Sequence, residues 1–175
     1  VGMAGAQLAR AFGARSIGTS RSAERLAATG AWGPDVGHVD GGGDLAATVE
    51  QATGEGVAVV LDLVGGNHLR ENMDCLRPDG TQVVVGLMAG AEDRLKLGLL
   101  LAKRLTLRAM TMRSLPLEER IRLARRCHAQ LNPLFQAGTL TPTVSSVLPF
   151  QAAREAHRAM EAGEHTGKIV LTTGA

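Results

Sequence analysis

The chain has 175 residues, 45% of them hydrophobic and 21% charged, with a formal net charge of +2 and two cysteines. That length fits one ordinary domain with ample core, and the near-neutral balance argues against a nucleic-acid or acidic-membrane surface. With 22 glycines, three phenylalanines and one tryptophan, the interior must be built from Ala, Leu and Val; no apolar run reaches the roughly 18 residues of a membrane span, and no signal peptide is visible.

Residues 3–12 place Ala4, Leu8, Ala11 and Phe12 on one helical face, with Gly13 as the stop. A short strand is expected over 15–19. Ser22 is an N-cap candidate for a helix through Thr29 closed by Gly30, because a serine oxygen accepts from the orphan amides of a first turn. A loop rich in Gly and Asp leads to a helix over 44–53. The apolar run 57–64, with Asp62 near its end, predicts a strand buried on both faces. A helix over 67–76, the turn Arg77-Pro78-Asp79-Gly80 and a second buried strand over 81–87 follow. A leucine-rich helix around 95–102 and a third strand over 105–110 continue the alternation.

Residues 117–131 set Leu117, Ile121, Ala124, His128 and Leu131 along one helical stripe, with Arg120, Arg122, Arg125 and Arg126 mostly opposite. We read the arginines as a solvated face and His128 as structural. Beyond Gly138 the pattern is a strand over 141–148, a helix over 151–162 and a strand over 168–172. Alternating strands and helices signal βαβ units and a parallel sheet. The expected division is 1–138 and 139–175. Cys75 and Cys127 lie far apart in helical patterns, so both are expected to be buried apolar fillers in a reducing, cytoplasmic compartment.

In an open parallel sheet, ligands bind beyond the carboxyl ends of the strands, so the residues that follow each apolar run carry the functional information. Val1-Gly2 opens a helix, where a glycine lets a phosphate approach unsatisfied amides. The next strand ends in Thr19-Ser20-Arg21-Ser22, with Arg25 one turn on. An acidic residue there would hold ribose hydroxyls; hydroxyl and cationic donors suit a 2′-phosphate, and so favour NADP. Arg25 also reads as a solvent-facing residue at a helix start. Val64-Gly65-Gly66 and Gly86-Leu87-Met88 end two successive strands. Their glycines permit close backbone approach to a ring or ribose, although ordinary turns use glycine too. Asp62 is expected to hydrogen-bond the loop start. No Ser/His/Asp order, metal-ligand spacing or Walker-type lysine loop is present, so catalytic residues and a metal site are not expected in this segment.

At these residues the sequence resembles the cofactor-binding half of zinc-independent quinone oxidoreductases of the medium-chain dehydrogenase/reductase superfamily. Val1-Gly2 is similar to the close of the family's Gly-rich loop, followed by a helix containing Ala6 to Ala9; a lysine commonly stands at the position of Arg25. Asp62-x-Val64-Gly65-Gly66, Gly86-Leu87-Met88-x-Gly90, Arg113-Ser114 and the ending with Gly167-Lys168-Ile169-Val170 continue the likeness. Where many relatives carry a tyrosine near the 2′-phosphate, this sequence has Asp40-Gly41.

The resemblance implies a Rossmann-type, doubly wound parallel sheet whose first strand lies upstream of Val1, so that the chain is expected to be a fragment with an unpaired edge on each neighbouring strand. It also implies a C-terminal strand, helix and strand returning to a catalytic domain. NADPH is the implied cofactor, a quinone or α,β-unsaturated carbonyl compound the substrate, and a homo-oligomer the assembly. Arg113 and Lys168 join Val1, Gly2, Thr19, Ser20, Arg21, Ser22, Arg25, Val64, Gly65, Gly66, Gly86, Leu87 and Met88 as implied cofactor contacts. Rival readings are the cofactor domain of a zinc-dependent alcohol dehydrogenase or enoyl reductase, and a nucleotide-binding module without turnover. An S-adenosylmethionine methyltransferase sheet is disfavoured by the hydroxyl-and-arginine strand end.

Overall fold

The computed structural model describes residues 1–163 and 165–174, in an α/β fold whose strand pairs are all parallel. Two compact units divide the chain: Val1–Val39 with Ala129–Ala175, and Asp40–His128. Glu164 and Ala175, at the far end of the expected 139–175 segment, lie outside the described residues.

The first unit opens with α1 (Gly2–Ala11), then β1 (Ile17–Ser20), α2 (Ala23–Ala27) and β2 (Val36–Val39). β1 and β2 pair from Ile17↔Val36 to Ser20↔Val39. β2 is not anticipated by the sequence reading, because Gly33, Pro34 and Gly37 around it mask a four-residue run. Gly30 does not close α2 but begins a 3-10 turn, Gly30–Trp32, at φ 52°. The same unit holds β6 (Val144–Pro149) and β7 (Lys168–Thr172), joined through α7 (Ala153–Ala162) as a βαβ unit. Gln7 fixes α1 to the start of that segment: its amide donates to the Thr141 carbonyl at 3.1 Å and accepts from the Thr141 amide at 2.8 Å. Both halves of a buried side-chain amide are thereby satisfied.

The second unit is built on β3 (Val57–Asp62), β4 (Leu76–Val84) and β5 (Thr106–Ala109), in the order β3-β4-β5. Residues 77–80 bulge out of β4, so that Val57 pairs with Leu76 but Val59 with Thr81; the expected turn at Arg77 to Gly80 lives inside a strand. α3 (Leu45–Thr53) is capped by Asp44, whose carboxylate accepts from the amides of Ala46 and Ala47. It packs on α4 (Leu69–Cys75) around buried Leu45, Val49, Met73, Cys75 and Leu76. Each such fully buried aliphatic contributes roughly 1.5–3 kcal/mol. Lys103, just past α5 (Leu97–Ala102), satisfies the carbonyl end of α4 by donating to Asp74 and Leu76 at 2.8 and 2.7 Å.

Three further expectations need correction. β3 is not buried on both faces: Val59 and Leu61 are 55% and 54% exposed. β3 has no pairing partner on its other edge among the described residues. The helix expected over 117–131 runs on as α6 (Leu117–Gln136), through Pro133, beyond which the Ala137 amide resumes bonding to the Pro133 carbonyl. Cys75 is buried, but Cys127 is exposed on α6, where its neighbours along the chain are arginines and a histidine.

Candidate functional site

In the first unit, Val1 is the N-cap of α1 and supplies no side-chain cap. Gly2 faces open space: a Cβ there would meet nothing within 4 Å. The β1 end carries hydroxyls and a cation as expected, but part of that chemistry is already engaged. Ser22 caps α2 by accepting from the Arg25 amide at 3.2 Å, and its own amide donates to the Ser20 hydroxyl at 3.4 Å. Glu24 sits at the same turn, its carboxyl held below the ordinary range by a backbone hydrogen bond and by Ser22. The Arg25 guanidinium lies where a Cβ on Gly163, the C-cap of α7, would be 2.9 Å from it. A cation near a helix carboxyl end is favourable by itself. Thr19 and Arg21 are exposed, and Arg21 makes no hydrogen bond or ion pair with a described residue.

In the second unit, Asp62 organises both glycine loops. Its Oδ1 accepts from the amides of Val64 and Gly65 at 2.9 and 2.8 Å, while its backbone carbonyl accepts from Val85 at 2.7 Å and Gly86 at 3.2 Å. Gln82 Nε2 donates to Asp62 Oδ2 at 3.1 Å, and Gln82 is only 1% exposed. The loops are then laced to each other, with the Gly66 amide on the Gly90 carbonyl and the Ala89 amide on the Val64 carbonyl.

That lacing by itself requires glycines at these positions. Gly65 and Gly66 have φ of 63° and 59°, a region that L side chains rarely adopt. A Cβ on Gly65 would lie 3.0 Å from the carbonyl oxygens of both Gly86 and Gly90; on Gly66, 2.7 Å from that of Ala89; and on Gly86, inside contact distance of the Leu63 carbonyl. Leu87 and Met88, by contrast, are 56% and 80% exposed at the loop tip.

Two candidates remain. Arg113 follows β5 and lines an open cavity of about 670 Å³ with Val85, Met110, Thr111, Met112 and Arg120. Lys168 starts β7, where its amide donates to the Thr143 carbonyl at 2.8 Å and its residue is exposed. The Asp62–Gln82 pair is the part of the arrangement that sequence reasoning caught only by half. Asp62 is visible at a strand end, but nothing in the pattern marks Gln82 as its buried partner twenty residues away. Among the described residues, no group of three or more His, Cys, Asp or Glu side chains could hold a metal ion. No helix of the described structure is long and apolar enough to cross a membrane.

Residues 38–171 match the family model described as zinc-binding dehydrogenase. A 2-haloacrylate reductase of Burkholderia sp is 31% identical over 132 residues, which are 73% of this chain and 39% of that protein. Among solved structures, an NAD-dependent alcohol dehydrogenase is 28% identical with a TM-score of 0.79, over 98% of this chain and 48% of that one. The quinone oxidoreductase of Escherichia coli, complexed with NADPH, is 27% identical with a TM-score of 0.79, over 98% of this chain and 53% of that one. The chain thus spans about half or less of these proteins.

Proposed function

The chain belongs to the zinc-binding dehydrogenase family, and from that premise we propose that it is the NADPH-binding part of a reductase acting on a quinone or an α,β-unsaturated carbonyl compound. The observation that carries the cofactor choice is the end of β1, where Thr19, Ser20 and Arg21 offer two hydroxyls and an unengaged guanidinium, with no carboxylate from 19 to 22. The donor set fits a 2′-phosphate, which accepts charge-assisted hydrogen bonds, better than it fits a ribose diol, which seeks an acceptor. Ser22 orders the turn through its cap on α2, and Arg25, beside the α7 end, adds a second cation to it.

In this reading Val1 and Gly2 leave the α1 amides open to a phosphate, and Gly86, Leu87 and Met88 form the exposed loop that borders the nicotinamide ribose. Asp62 and Gln82 hold that loop and Val64 to Gly66 rigid. Arg113 and Lys168 add positive charge at their own strand ends. Residues 1–138 form the cofactor-binding part, and 139–175 return to a catalytic domain. The nicotinamide supplies the hydride, and the chain contributes orientation and shelter from water. Among the described residues no His, Cys, Asp and Glu cluster fits a zinc ion, and no step is assigned to one.

The test is titration of the chain with NADPH and NADH by calorimetry. NADPH is expected to bind at least about tenfold more tightly, roughly 1.4 kcal/mol, and Arg21→Glu to erase most of that preference with little effect on NADH. Equal dissociation constants in the wild-type chain would refute the cofactor assignment.

A further inference from the structure

The cavity beyond β4 and β5 is not accounted for by cofactor recognition at β1. It opens at the carboxyl end of a parallel sheet, where ligands of such sheets bind, and its 670 Å³ falls within the range of about 300–1,000 Å³ typical of small-molecule sites. Its walls combine the aliphatic and thioether groups of Val85, Met110 and Met112 with the Thr111 hydroxyl and two guanidinium groups, Arg113 and Arg120. No carboxylate lines it.

Neither guanidinium makes a hydrogen bond or ion pair with a described residue; the one bond at these positions is the Arg120 backbone amide on the Pro116 carbonyl at 3.0 Å. Arg120 occupies the first turn of α6, the end where a cation opposes the helix dipole, whereas Glu118 and Glu119 beside it suit that end. Its helical neighbours three and four positions away are Pro116, Leu117, Leu123 and Ala124, so no carboxylate stands at ion-pairing distance along the helix. Local stability therefore gives no reason for a cation at 120. Two unpaired forks beside apolar walls match a planar oxyanion attached to a short hydrocarbon.

We propose that this cavity receives the carboxylate of an unsaturated organic acid, held by Arg113 and Arg120, as the substrate of the reductase described above, on whose cofactor reading the assignment rests. The same chemistry is offered by a phosphate of the dinucleotide. Arg113 is shared with that cofactor reading, so Arg120 separates the two sources.

The experiment titrates the chain, with and without saturating NADPH, with crotonate and with its neutral analogue crotonamide, in wild type and in Arg120→Gln. Crotonate is expected to bind at least tenfold more tightly than crotonamide. Arg120→Gln should remove that difference while leaving the thermal midpoint and the NADPH dissociation constant within twofold of wild type. Loss of NADPH affinity in Arg120→Gln with crotonate binding intact would assign the cavity to a cofactor phosphate and overturn the proposal. So would equal binding of crotonate and crotonamide, or crotonate binding indifferent to the substitution. If wild type fails to bind NADPH, the cofactor reading falls, and the titration without cofactor still decides whether Arg113 and Arg120 hold a carboxylate.

Discussion

Gly65 has a conformational requirement of its own, whatever it contacts. At φ 63°, with two carbonyl oxygens 3.0 Å from where a Cβ would stand, it is required by the turn itself. Gly65→Ala should therefore lower stability by about 1–2 kcal/mol, read as a fall of several degrees in the thermal midpoint, with NADPH affinity retained in the folded fraction. An unchanged midpoint with lost affinity would make the glycine a ligand contact. The cysteines offer a second reading at this scale. Cys127, exposed on α6, should react with a thiol reagent in the native chain, and Cys75 only on unfolding; two fast equivalents would contradict the packing. Burial, then the Glu71 and Asp74 carboxylates, pushes the Cys75 thiol up to about 11 from 9.0. The unfolded thiol ionises first, so this contribution is intact below pH 9 and is lost as pH rises through 11. The midpoint should fall over that window by on the order of 5 °C, and the slope should flatten in Cys75→Ala.

At the scale of elements, the Asp62 carboxylate joins two loops that periodicity treats as unrelated. Asp62→Ala would strand the Val64 and Gly65 amides and the Gln82 amide in a buried place, at a cost of about 2–4 kcal/mol. Asp62→Asn should cost less than about 1 kcal/mol. An asparagine oxygen still accepts from both backbone amides, and Gln82 can turn over to present Oε1, which has no partner in the native structure, to the new amide. Urea unfolding of both variants checks this, and equal losses would show that the carboxylate charge, not the bonding pattern, matters. The strand ends that frame these loops are legible in the sequence because Val57 to Asp62 and Thr81 to Val84 are apolar runs. β2 is not, since four residues flanked by Gly and Pro carry too little pattern. The exposure of Val59 and Leu61 is also illegible, because it depends on what lies against β3 and not on the composition of β3.

For the molecule as a whole, the order of helices and strands apart from β2, and the parallel pairing, follow from periodicity, and the alternation from Gly2 to Thr172 is what places Thr19, Val64 and Gly86 at strand ends. The roles of those residues are less legible. Ser22 and Arg25 read as phosphate ligands in a linear pattern, which does not show that Ser22 also caps α2 or that Arg25 lies beside the α7 end. Long-range partners such as Gln7 with Thr141 and Asp62 with Gln82 leave no local signature at all. The central claim is that the end of β1 selects NADPH. Hydrogen exchange of the chain with and without NADPH tests it most directly. Slowed exchange is expected at the amides of 18–22, with α3 unaffected. Binding of NADPH with no protection at 18–22 would contradict it.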